Sequence, residues 1–147
     1  MHNIPLWASS DFAAPLPRGP GDGESPTGPI FDIDVEQRAD QPIVARVFGS
    51  VDLLTAPALQ TCVNDHVGSA AGLVLDLSGV NFLAASGLTV LADTDRRARQ
   101  DNLAWGLVAS TRPVLRPLEV LGLDVSLPTY ESVPDAVAAV RAAALTS

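Results

Sequence analysis

Few residues in this 147-residue chain have the types and spacing that chemistry requires. Cys62 and His66 stand four apart, a spacing that puts two ligands on one helix face. A metal site needs about three or four ligands with a supporting shell, and no acidic or Cys/His cluster nearby completes the set. A packed thiol and a partly buried imidazole are the simpler reading, because a lone cysteine on an apolar helical stripe is ordinarily inert packing. Asp52 is a carboxylate without a second carboxylate, nucleophile or histidine placed beside it by motif, so it reads as a loop or interface residue. Arg96, Arg97 and Arg99 form a short basic run near a helix end, where cations complement the macrodipole. That run reads as a solvated face with room for a local acidic contact. Neither GxGxxG nor GxxxxGK occurs, which removes the usual phosphate-binding loops. No enzymatic constellation emerges, and neither a metal nor a cofactor is expected.

The elements that would position these residues are organised around 73–100. Leu73, Val74, Leu75 and Leu77, interrupted only by Asp76, have the pattern of a central strand covered on both faces. Ser78 and Gly79 then predict a turn anchored by Val80, Phe82 and Leu83. Ala84, Ala85, Ser86 and Gly87 lead into a helix starting near Leu88, with Leu88, Leu91, Ala92 and Ala98 on its apolar side. Upstream, Phe31, Ile33 and Val35 alternate with Asp32, Asp34 and Glu36, predicting a half-buried edge strand that forms an antiparallel hairpin with a strand over 43–48. A loop over 49–54 leads to Thr55 as N-cap of the next helix, with Pro57 in its first turn.

Beyond the central unit, 103–109 reads as a strand and 112–121 as a helix that Pro117 should shorten or kink and Gly122 should end. A short last strand over 127–130 precedes a helix whose Ser132 and Asp135 resemble a capping box. The alternation implies a single α/β domain over 30–147, a mixed, mostly parallel sheet of about five strands with about four helices. Residues 1–29 are a different matter. Pro15, Pro17, Pro20, Pro26 and Pro29 interleave with Gly19, Gly21, Gly23 and Gly28, the composition of a disordered tail. Ile4, Leu6, Trp7 and Phe12 form a short apolar cluster within it, able to dock on its own domain or on a partner.

Composition narrows the partners. A formal net charge of -8 opposes an electrostatic grip on nucleic acid or anionic lipid, both of which reward clustered cations. A neutral or basic protein partner fits better. Cys62 is the only cysteine, so no intrachain disulfide can form, and a reducing cytoplasm is the expected setting. Neither a secretory leader nor a membrane span is expected.

Three stretches in order resemble a known family: GSVDLLTAP, LVLDLSGVNFLAASGLTVL and EVLGLDVSLPTYESVPDAVAAV, together extending over about 31–144. They are similar to the STAS domains typified by bacterial anti-sigma factor antagonists, the second stretch corresponding to that family's strand, hydrophobic turn and Asp-Ser-Ser-Gly helix start. The resemblance implies a regulator of transcription that binds an anti-sigma factor or switch-protein kinase and is released by phosphorylation of the first serine. Here the aspartate position is Ala84 and the acceptor position is Ala85, which has no hydroxyl; Ser86 and Gly87 remain. The usual phosphoserine switch is therefore absent on this reading. Ser86, one residue along, is either a cap for the helix or a substitute acceptor. The expected partner surface joins Ser50, Val51, Asp52 and Leu53 with Ala84, Ala85, Ser86, Gly87, Thr89 and Val90, because open α/β sheets carry their working loops at the strand ends. A homodimer stays open. The alternative is a STAS sensor or assembly module that holds an anion or nucleotide at the same helix start.

Overall fold

A computed structural model of the chain describes residues 31–146, so the predicted tail over 1–29 lies outside the described residues. The elements run β1 (Asp32–Glu36), β2 (Ile43–Val51), α1 (Ala56–His66), β3 (Leu73–Leu83), α2 (Ala85–Asp101), β4 (Trp105–Val108), α3 (Arg112–Val120), α4 (Leu123–Ser126), β5 (Thr129–Tyr130) and α5 (Val133–Thr146). The strands form one sheet in the order β1-β2-β3-β4-β5, antiparallel between β1 and β2 and parallel from β2 to β5. The predicted edge hairpin and mostly parallel sheet are both present. The one-turn helix α4 brings the described helices to five rather than about four.

Alternation along the strands assigns the two faces. Ala45, Val47 and Val51 of β2, Leu73, Leu75, Leu77, Val80 and Leu83 of β3, and Trp105 and Leu107 of β4 face inward, where they pack with Leu59, Leu91, Val114 and Leu118 of the helices. The outer face is covered more thinly. Val44, Val74 and Val108 meet Ala136 and Val140 of α5, which shields the outer face at the start of β2 and β3 and at the end of β4. Val140 reaches the sheet because Gly72, just before β3, and Gly106, within β4, lack a side chain. A Cβ on Gly72 would lie 2.3 Å from Val140 Cγ1, and one on Gly106 would lie 2.9 Å from Val140 Cγ2.

Farther along the outer face a row of charges crosses three strands. Arg38 and Arg46 both engage Glu36, at 2.6 and 2.9 Å, and Arg46 Nε lies 3.9 Å from the carboxylate of Asp76 on β3. The hydrogen bond from Arg46, together with the charge of Arg38, holds the Glu36 carboxyl below its ordinary range. Asp76, only 8% exposed, also accepts the Ser78 N–H at 3.0 Å. A buried carboxylate is tolerable on these terms, because it has both a cation and a donor.

The main departure from the sequence reading is in β3. Ser78 and Gly79 make no turn; the strand continues to Leu83. Between the pairs Arg46↔Asp76 and Phe48↔Gly79, β2 advances two residues and β3 three; between Gly49↔Val80 and Ser50↔Phe82, β2 advances one and β3 two. Each step inserts one extra residue in β3, the mark of a β-bulge. β2 likewise extends to Val51, which absorbs half of the predicted loop. The other boundaries shift less: β4 is shorter at both ends, the last strand is reduced to Thr129 and Tyr130, and α2 begins at Ala85 rather than Leu88. Asp135 N–H does donate to Ser132 Oγ, at 3.3 Å, as the capping motif predicts.

Val140 against Gly106 yields the first prediction. Gly106→Ala should cost about 1–3 kcal/mol through overpacking beneath α5. Combined with Val140→Ala, its cost should fall well short of the sum of the two single losses, because the truncated side chain vacates the contested space. Urea denaturation of the two single variants and the double variant reads this coupling, and strict additivity would contradict the packing.

Candidate functional site

The C-terminal ends of β2 and β3 bring the two predicted segments together. Val51 pairs with Leu83, and the next residue, Ala84, donates its N–H to Val51 O at 2.8 Å. Helix α2 begins immediately afterwards. It fits against the strand ends because Gly87 has no side chain: a Cβ there would lie 2.6 Å from Val51 Cγ1 and 2.7 Å from Leu83 Cδ1. Gly87 is thus a packing residue, buried beneath the surface to which it was assigned.

The turn after β2 is fixed by Asp52 and Thr55 together. Asp52 Oδ1 accepts the N–H groups of Leu54 at 3.0 Å and Thr55 at 3.1 Å, while Asp52 O accepts the N–H of Ala56 at 2.8 Å. Thr55 Oγ1 reaches back to accept the Asp52 N–H at 2.9 Å, and its hydroxyl donates to Ser50 O at 2.8 Å. This is a reciprocal box that caps the entrance to α1 one turn earlier than expected. Asp52 spends its acceptors holding the loop, which leaves Leu53 and Leu54 projecting outward at 77% and 74% exposure.

The start of α2 lacks such a box. Its N-cap is Ala84, extended at φ −86° and ψ 173°, and no side chain caps the helix. Ser86 does not perform the predicted capping role; it lies inside the first turn, and its Oγ is buried without a hydrogen-bond partner among the described residues. Ala85 and Thr89 are exposed, with Thr89 Oγ1 donating back to Ala85 O at 3.1 Å. Two further members of the expected surface belong to the core, since Val51 and Val90 are buried. Two exposed apolar residues lie outside the expected surface: Leu54, next to Leu53, and Phe82, on the outer face of the sheet.

The STAS domain family matches residues 32–136. The chain belongs to the STAS domain family. This STAS domain is 35% identical over 99 residues to the anti-sigma-F factor antagonist RsfB of Mycobacterium tuberculosis, a match spanning 67% of this chain and 80% of that protein. A crystal structure of an anti-sigma factor antagonist from Mycobacterium paratuberculosis shares 35% identity and a TM-score of 0.67, with 76% of this chain and 95% of that one covered. At 16% identity, the anti-sigma factor antagonist SpoIIAA in its unphosphorylated form shares the fold, with a TM-score of 0.62 over 76% of this chain and 97% of its own.

The remaining reactive residues of the STAS domain have structural partners. Cys62 packs against the core, and burial, reinforced by the negative charge of Asp65, pushes its thiol up to about 11. At neutral pH such a thiol is a poor nucleophile. Among the described residues no His, Cys, Asp and Glu group has the arrangement of a metal site, so the Cys62–His66 pair gains no further ligands. Arg96, Arg97 and Arg99 pair with Asp93, Asp101 and Asp95 of their own helix, as a solvated face would. No described helix is long and apolar enough to cross a membrane.

Asp52→Ala should lower stability by about 0.5–2 kcal/mol, the cost of losing an N-cap. Hydrogen exchange in that variant should quicken first at Leu54, Thr55 and Ala56, whereas Asp52→Asn, which keeps an oxygen acceptor, should lose less. Unchanged exchange at these amides in Asp52→Ala would contradict the capping role.

Proposed function

We propose that this STAS domain is an anti-sigma factor antagonist: it binds an anti-sigma factor, a switch-protein kinase by family resemblance, and thereby frees a sigma factor for transcription. The reading places its action in the cytoplasm and requires no catalysis by the chain itself. Support comes from the 35% identity to proteins named as such antagonists, spread over two-thirds or more of this chain. The observation that carries the finer reading is Ala85. It stands exposed at the first position of α2, beside the turn capped by Asp52, with a methyl group where the family motif has its phosphoacceptor hydroxyl.

The consequence is chemical and local. A phosphoserine at a helix start adds roughly -1.5 to -2 charges, enough to repel or reorganise a docked partner. A methyl group accepts no phosphoryl group. The neighbouring Ser86 is a poor substitute, because its Oγ is buried within the first turn and a kinase would have to open that turn to reach it. The docking frame nevertheless persists, and its exposed part consists of Leu53, Leu54, Ala85 and Thr89, with the partly exposed Asp52 beside them. Asp52 is the one charged member, so partner binding should depend mainly on apolar contact and only weakly on salt. The antagonist is then constitutive, or controlled by an input other than phosphorylation at this position.

Pull-down of the tagged protein from its source cell should recover an anti-sigma factor without added ligand. Thr89→Arg should weaken that complex more than tenfold, a loss of more than about 1.4 kcal/mol, while leaving the circular dichroism and melting temperature of the free domain unchanged. A partner that binds Thr89→Arg as tightly as the native protein does would overturn the surface assignment.

A further inference from the structure

We infer that the apolar cluster Ile4, Leu6, Trp7 and Phe12 docks, in the same molecule, on the uncovered outer face of the sheet around Phe48 and Phe82. The receiving surface follows from the register. Arg46, Phe48 and Ser50 of β2 share the outer face with Val44, and Phe82 stands opposite Ser50 on β3, so the two phenyl rings are diagonal neighbours. Helix α5 covers the outer face at Val44, Val74 and Val108 but not at this end. Phe48 and Phe82 remain 37% and 54% exposed. Phe48 lies against Gly79, where an added Cβ would be 2.4 Å from its Cδ1, so its ring forms a flat apolar floor beside Phe82.

Chain direction selects the occupant. β1 runs antiparallel to β2 and opens with Asp32 paired to Phe48, so residues 1–30 join the fold at the level of this patch. The eighteen residues between Phe12 and Phe31 contain all the Pro and Gly of the segment except Pro5. A linker of that length spans roughly 20–25 Å as a Gly-rich coil and up to about 60 Å extended, ample for a target on the next two strands. Tethering raises the effective concentration of the cluster to about the millimolar range, where a modest apolar contact suffices. A second copy is a worse occupant. Asp32 and Asp34 flank the patch on the same face of the edge strand, and a two-fold pairing across that edge would bring the carboxylates of the two copies together. The cluster that docks, at Ile4 to Phe12, has only Asp11 as a carboxylate.

The test uses the full chain with Trp105→Phe, which leaves Trp7 as the sole tryptophan. Docking predicts that Trp7 emission is blue-shifted and that acrylamide quenches it several-fold less than in a peptide of residues 1–30. Phe82→Ser, or Phe48→Ser with Phe82→Ser, should return both readings to the peptide values while circular dichroism stays native. If Trp105→Phe loosens the sheet, the same comparison is read from the Trp7 indole N–H resonance of the native chain. Trp7 as exposed as in the peptide would overturn the proposal, as would shielding that survives both phenylalanine substitutions. Shielding that disappears on dilution would assign the contact to a second copy and equally overturn it.

Discussion

The bare Cα at position 87 sets the approach of α2 to the sheet. Val51 and Leu83, paired across β2 and β3, close on Gly87 from the strand side, and the Ala84 N–H bonded to Val51 O pins the entry of the helix. Any larger residue would have to displace two buried side chains of the core, at a cost typical of overpacking. Through this contact the positions of Ala85 and Thr89 are fixed relative to the Asp52 turn, although the two segments lie some thirty residues apart. The bulges in β3 serve the same geometry. They let an eleven-residue strand stay paired with a nine-residue one and still deliver Leu83 opposite Val51.

Those bulges also mark where the sequence stops being legible. The alternation of Phe31 to Glu36 and the apolar run of Leu73 to Leu77 are set by burial alone, and both read through to the observed edge and central strands. Past Leu77 the inward positions are Val80 and Leu83, spaced by three rather than two, so the period-two signal fails just where Ser78 and Gly79 mimic a turn. Asp52 was equally obscure, because an aspartate three residues before a threonine acquires its capping role only when the backbone turns between them. Burial of Val51 and Val90 depended on the packing of α2 against the strand ends, which no local pattern specifies. What local pattern did convey was the order of the elements and the convergence of two loops at one end of the sheet.

The exposed part of the resulting surface is mainly apolar within a chain of net charge -8. Asp52 is hydrogen-bonded to the backbone, the Ser86 hydroxyl is buried, and the helix start carries the methyl group of Ala85. On the proposed reading, association there would rest mainly on the burial of Leu53 and Leu54. On the same reading, it lacks the group by which a phosphoryl charge would be written onto it.

The central claim, that the docking frame persists while its phosphoryl switch is gone, is tested most directly on the complex itself. The native protein is incubated with its recovered anti-sigma partner and magnesium ATP, then followed by intact mass and by affinity. The account predicts no added phosphate and an affinity that does not decline with time. Stoichiometric phosphate on Ser86 accompanied by release of the partner would contradict it.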